Sequence, residues 1–202
     1  MKKYPAVALI EFSSIAAGMV SADAMIKKAP IAMLKAGTVS RGNFLILIGG
    51  SVASVEEAFA EGLAKGENYV ADKVMLPAVH PQVHDTMLGS RNRCSGDAVG
   101  VIETKTVATV IRAADAGVKG AAVDLVEMRL GDGLGGKSFA VFTGTIEDVD
   151  AAVQIARNAV GDTKLWLNDS QIPRLDSELA KQIEITTRFA AAAAHSLADG
   201  EA

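Results

Sequence analysis

The chain has 202 residues, half of them hydrophobic, with one cysteine and a formal charge of −4. That length allows one or two domains with sizeable cores, and an acidic balance without basic runs argues against nucleic acid as a partner. No apolar run is long enough to span a bilayer, and a lone Cys94 excludes an intrachain disulfide and fits a reducing compartment.

Met1-Lys2-Lys3-Tyr4 runs straight into a strand-like pattern, with no signal-peptide apolar region. Ala6 to Phe12 is short, apolar and β-compatible, and reads as a strand. Ser13 or Ser14 can cap a helix over 17–29, where Met19, Ala22, Met25, Ile26 and Ala29 share a face and Pro30 follows. A strand over 31–39 is made irregular by Lys35-Ala36-Gly37, and the turn Ser40-Arg41-Gly42 leads into the apolar strand 43–48. Ser51 or Ser54 caps a second helix that runs to about Lys65, where Gly66 stops it. A strand over 69–76 ends at Pro77.

Residues 98–119 (AVGVIETKTVATVIRAADAGVK) then repeat residues 6–27 (AVALIEFSSIAAGMVSADAMIK) at a constant offset of 92, without a gap. A repeat of domain size indicates two copies of one domain and not a solenoid. The second copy reads as strand 99–104, helix 107–119, strand 123–130, a glycine-rich loop 131–136, strand 138–143, helix 146–160 and strand 164–167, with Ile172-Pro173 matching Leu76-Pro77. Both copies thus run β-α-β-β-α-β, and the fold class is α+β. The expected boundaries are a first domain over 1–88, a linker over 89–97, a second domain over 98–175 and a tail over 176–202. The tail has no visible counterpart in the first copy. Its composition predicts a helix over 176–197, with Ile183, Ile185, Phe189 and Leu197 as docking residues and a frayed end at 199–202.

Catalytic chemistry is not visible in this pattern, and no enzyme is expected. The loop Gly131-Asp132-Gly133-Leu134-Gly135-Gly136 superficially resembles a dinucleotide fingerprint, but it precedes a strand rather than a helix N-terminus. It reads as a strand connection requiring positive φ. His80 and His84 are spaced as metal ligands on a helix can be, yet only Asp85 is nearby, so no metal site is expected. His195 falls in the tail and is read as solvated. Cys94 has no adjacent base; Arg91 and Arg93 could lower its pKa, but it reads as an ordinary loop cysteine. The matched carboxylates Glu11/Glu103 and Asp23/Asp115 are read as caps or structural ion pairs rather than a catalytic dyad.

The phrases Ala22-Asp23-Ala24-Met25-Ile26-Lys27 and Ala114-Asp115-Ala116-Gly117-Val118-Lys119 resemble the first helix of bacterial microcompartment (BMC) shell domains. The openings 6–11 and 98–103, Gly135-Gly136-Lys137 and Ile172-Pro173-Arg174 are similar to other segments of that family. The resemblance extends to about Arg174. It implies a ferredoxin-like domain present twice, the tandem class exemplified in the propanediol-utilisation compartment. Members form trimers whose six domains imitate a hexamer and tile the compartment shell in the bacterial cytoplasm. By resemblance, Val39, Ser40, Arg41 and Gly42 with Asp132, Gly133 and Leu134 surround a central pore for small polar metabolites. Lys27, Lys119 and Arg174 lie at the tile edge, facing other shell proteins. In the propanediol tandem class the first-copy loop carries a cysteine, and three such residues hold an iron–sulfur cluster. Ser40 stands at that position here, so no cofactor is expected. The alternatives are a trimeric small-molecule sensor, since β-α-β-β-α-β units also serve as regulatory ligand-binding modules, and an enzyme with its site between the copies.

Overall fold

The computed structural model describes residues 4–194 and Leu197; the expectations for His195 and residues 199–202 fall outside that range. The first half runs β1 (Ala6–Phe12), α1 (Ile15–Lys28), β2 (Met33–Thr38), β3 (Phe44–Gly50), α2 (Val52–Gly66), β4 (Val70–Leu76) and a short α3 (Pro81–Met87). The second runs β5 (Ala98–Thr104), α4 (Val107–Gly120), β6 (Asp124–Arg129), β7 (Ser138–Gly144), α5 (Ile146–Val160), β8 (Trp166–Ile172) and α6 (Ser177–Ile185). Each half holds one antiparallel sheet, in the order β2-β3-β1-β4 and β6-β7-β5-β8. The expected tandem ferredoxin-like α+β architecture is therefore present.

The four long helices start alike. Ser14, Ser51, Thr106 and Thr145 each accept a hydrogen bond from the backbone N–H three residues on, satisfying a donor the helix leaves open. Strand alternation sorts β1 into two faces. Ala6, Ala8, Ile10 and Phe12 pack with Ala22, Met25, Val55 and Ala58 of α1 and α2. Val7 and Leu9 point the other way and join a core shared with Val107, Val110 and Ile111 of α4 and Val83 and Met87 of α3. The open face of the first sheet is thus roofed by the second half. The open face of the second sheet (Val99, Val126, Val141) is covered by Leu175 and Ile183 of the tail.

Three expectations are corrected. The last strand spans Trp166–Ile172 rather than 164–167: Asn168-Asp169-Ser170-Gln171 is polar because β8 is a sheet edge, paired only with β5. The tail helix ends at Ile185, and after it only a 3₁₀ turn at Phe189–Ala191 forms. Helix propensity alone does not hold a short alanine run without packing. Ile183 docks, but Ile185, Phe189 and Leu197 are exposed. The tail also has a counterpart after all. α6 follows Pro173 as α3 follows Pro77, and Asp176 caps α6 through Glu178 N–H as His80 caps α3 through Gln82 N–H.

Candidate functional site

The two loops that carry the seven residues expected at the pore lie against each other. Between β2 and β3 the chain turns through Ser40–Gly42, with Arg41 and Gly42 both left-handed (φ 72 and 77) and Val39 N–H donating to Asn43 C=O at 2.9 Å. Between β6 and β7, Gly131, Gly133, Gly135 and Gly136 all take positive φ, as a strand connection of this kind requires. The two loops touch: Ser40 Oγ accepts from Gly133 N–H at 2.9 Å, and the stem of Arg41 lies against Gly136. Gly131 sits beside Val39. Asp132 projects into solvent, while its carbonyl accepts from Arg129 Nη2 at 2.9 Å and its carboxylate lies 3.9 Å from Arg188. An iron–sulfur cluster at such a loop needs thiolates. The loop offers only the Ser40 hydroxyl, already an acceptor for Gly133, and Cys94 lies in the linker, so these residues do not fit such a cluster.

The seam between the halves is built from repeat positions used asymmetrically. Glu11, buried on β1, accepts from Asn43 Nδ2 at 2.8 Å and from Val107 N–H at 2.9 Å. Asp72 accepts from the hydroxyls of Thr106 and Thr109. Both carboxylates thus sit at the N-terminus of α4, where negative charge is favoured. Arg112 donates to Lys73 C=O at 2.8 Å, and buried Asp115 accepts from His80 N–H at 2.8 Å. Among the described residues the matched acids of the other copy have no such neighbours. Glu103 pairs with Lys137, and Asp23 pairs in solvent with Lys27 at 2.6 Å.

Of the expected edge residues, Lys27 is the freest, its side chain 74% exposed at the end of α1. Arg174 is exposed after β8. Lys119 is drawn inward, pairing with Asp115 and donating to Ala78 C=O of its own chain. Sequence identity at matched positions did not reveal that difference, because it arises from what each copy packs against.

The remaining candidates resolve structurally. His80 caps α3, whereas His84 is sealed beside Tyr4 with Nδ1 2.9 Å from Asp85. Among the described residues no group of three or more His, Cys, Asp or Glu side chains is placed to hold a metal. Burial and Glu184 push the Cys94 thiol above its ordinary pKa, outweighing Arg91, so it is not an activated nucleophile. Sequence reasoning missed Arg91, Glu127 and Arg188. Arg91 grips Glu127 with both guanidinium arms and donates to Glu184 C=O, and Thr187 donates to Glu127, fastening the tail to β6. No helix among the described residues is long and apolar enough to cross a membrane.

The BMC-domain family model matches residues 6–79 and again 98–175. The bacterial microcompartment shell protein PduT of Citrobacter freundii is 36% identical over 178 residues, covering 88% of this chain and 97% of that one. The carboxysome assembly protein CcmO of Synechocystis sp. (strain ATCC 27184 / PCC 6803 / Kazusa) is 26% identical, over 90% of this chain and 65% of its own length. A microcompartment protein from Desulfitobacterium hafniense DCB, known from its crystal structure, is 36% identical and superposes with a TM-score of 0.78, over 87% of this chain and 98% of that one. The fused permuted hexameric shell protein MSM0275 of the RMM microcompartment shares the fold at 22% identity and a TM-score of 0.57, over 80% of this chain and 86% of its own. With both halves matched and two extensive relatives, the chain belongs to the BMC-domain family, as a tandem of two such domains.

Proposed function

We propose that this chain is a structural protein of a bacterial microcompartment shell, in which three copies close into a six-domain tile around a central pore. One observation carries the ring. Ile111 of α4 is fully buried in the seam, whereas its copy Met19 on α1 is 57% exposed. Val107 is buried and its copy Ile15 is 38% exposed. One half of a heterologous contact is thus satisfied within the chain, and its other half, α1 with the Glu103 side of the second sheet, is left over. Contacts of this kind are completed by a closed ring. Alternating halves would set the Ser40 and Gly133 loops around the axis, where hydroxyl, backbone N–H and Arg41 groups favour small polar or anionic metabolites.

Lys27, Lys119 and Arg174 would face other shell proteins at the tile edge, within a shell in the bacterial cytoplasm. Light scattering should return the mass of three chains at micromolar concentration. Met19→Asp should yield monomers with an unchanged far-ultraviolet dichroism spectrum. A stable wild-type monomer or dimer would sink the reading.

A further inference from the structure

Behind the loop pair, between the halves, lies a cavity of about 530 Å³. One wall is apolar: Leu9, Leu45 and Leu47 of the first sheet. The opposite wall is charged, and its cations outnumber its acids. Arg91, Arg129 and Arg188 line it against Glu127 and Asp132, and Lys35, the cross-strand partner of Leu47, adds a cation at the edge of the apolar wall. Arg91 and Glu127 neutralise each other through their two-pronged pair, and Thr187 takes a further lone pair of Glu127. The Asp132 carboxylate is 71% exposed and comes no closer than 3.9 Å to Arg188. Among the described residues Lys35 reaches the Met87 carbonyl alone, at 3.4 Å. Arg129 and Arg188 are therefore left facing Glu127, which is already held by Arg91, and the distant Asp132.

Arg129 is the anchor. It is 9% exposed, and its guanidinium lies 5.8 Å from the centre of the Phe139 ring. Among the described residues it makes one hydrogen bond, to the Asp132 carbonyl. A guanidinium carries five donors in a fork that matches a carboxylate, and a buried cation whose donors are left unpaired is costly. Burial and then the neighbouring Arg188 press the Arg129 pKa downward, and Glu127 and Asp132 only partly oppose them, a balance that an anion would relieve.

We infer that this cavity binds a small organic anion, a carboxylate bearing a short aliphatic chain. The head lies between Arg129 and Arg188, and the chain lies along Leu9, Leu45 and Leu47. Its volume is that of a small-molecule site, roughly 300–1,000 Å³. Arg188 comes from the tail and Asp132 from the second loop, so the anion would also brace the tail against the pore patch. The inference does not depend on the ring.

The test is a chemical-shift titration of the arginine Nε–Hε signals of the whole protein with butyrate, acetate, inorganic phosphate and n-butanol. Butyrate should bind saturably, more tightly than acetate or phosphate, and n-butanol should not. Arg188→Gln should weaken butyrate at least about tenfold, the scale of one charge-assisted hydrogen bond, whereas Arg93→Gln, outside the cavity, should not. Should Arg129→Gln fail to fold, Arg188→Gln carries the test, since Arg188 is half exposed. Phosphate matching butyrate would overturn the aliphatic subsite. Equal binding of n-butanol, no saturable butyrate binding, or an Arg188→Gln protein indistinguishable from wild type would overturn the anion site. A monomer that still binds butyrate would remove the ring and leave the cavity; a trimer that does not would do the reverse.

Discussion

Glu11 of the first half accepts a 2.9 Å hydrogen bond from the backbone N–H of Val107, the first residue of α4 in the second half. The same carboxylate accepts from Asn43 at the root of the Ser40 loop. One buried acid thus joins the seam between the halves to the loop proposed for the pore. Its copy, Glu103, pairs with Lys137 at a part-exposed site, waiting in the proposed ring for the N-terminus of α1 from a second copy.

The titration of Glu11 has a definite sign. Burial raises its pKa above the ordinary 4.5, and the hydrogen bonds from Asn43 and Val107 only partly oppose this. The folded protein therefore holds this proton more tightly than the unfolded chain does. The associated stability is full below about 4.5 and is lost as pH rises through the raised folded value. Glu11→Gln keeps an acceptor for Val107 but cannot ionise. Its denaturant midpoint should improve relative to wild type between about pH 4 and about pH 7; midpoints that track in parallel would contradict this. Glu11→Ala should lose about 1–3 kcal/mol at either pH, because the Asn43 and Val107 donors are left without a partner.

The constant 92-residue offset made the tandem fold legible, since strand and helix periodicities recur in both copies, with a serine cap in the first matched by a threonine in the second. The patch proposed for the pore was legible only through resemblance; nothing in Ser40 or Gly133 alone says that they meet. What sequence could not supply is the difference between equivalent positions. Asp23 and Asp115 read identically, yet one is solvated and the other accepts from His80 inside the seam. The tail misled for a related reason. Its alanines favour helix, but the structure uses α6 only as far as Ile183 can pack and then turns the chain where Thr187 reaches Glu127.

Gly136 and Gly135 separate backbone strain from contact. Both take positive φ, 86 and 59, so alanine at either should cost about 1–2 kcal/mol. At Gly136 an added Cβ would also lie 2.3 Å from Arg41 Cδ, whereas at Gly135 nothing lies within 4 Å. Because the exposed Arg41 side chain can swing aside, the two variants should lose similar stability, but Gly136→Ala should displace Arg41, seen as a shift of its Nε–Hε signal. An Arg41 signal unmoved in Gly136→Ala would mean that the Arg41 stem does not rest on this loop.

The two lysines at matched positions should behave differently. Lys27→Asp removes an exposed i,i+4 pair worth about 0.3–0.5 kcal/mol, so folding and trimer mass should hold. Sheet formation, scored by negative-stain microscopy, should fail if this is the tile edge. Lys119→Asp places a second acid beside buried Asp115 and abandons the Ala78 carbonyl. It should lower the melting midpoint as well as block sheets. Sheets that persist in Lys27→Asp would place the edge elsewhere.

The tail yields the last prediction. Leu175 and Ile183 cover Val99, Val126 and Val141, and Leu175 N–H donates to the Asp97 carbonyl at 3.0 Å. Ile183→Asp sets a charge against that apolar face and forfeits a packed side chain worth about 1.5–3 kcal/mol when fully buried. Phe189, 97% exposed, touches no such face. Ile183→Asp should therefore lower the thermal midpoint while Phe189→Asp leaves it unchanged. Truncation after Arg174 should reproduce the loss of Ile183→Asp, since it strips the same cover. It should leave trimer assembly intact, because α1, α4 and the Glu11 seam lie outside the deleted residues. A truncated protein that melts like wild type would mean that the tail does not dock on the second sheet. One that fails to assemble would mean that the tail, and not α1, completes the contact between copies.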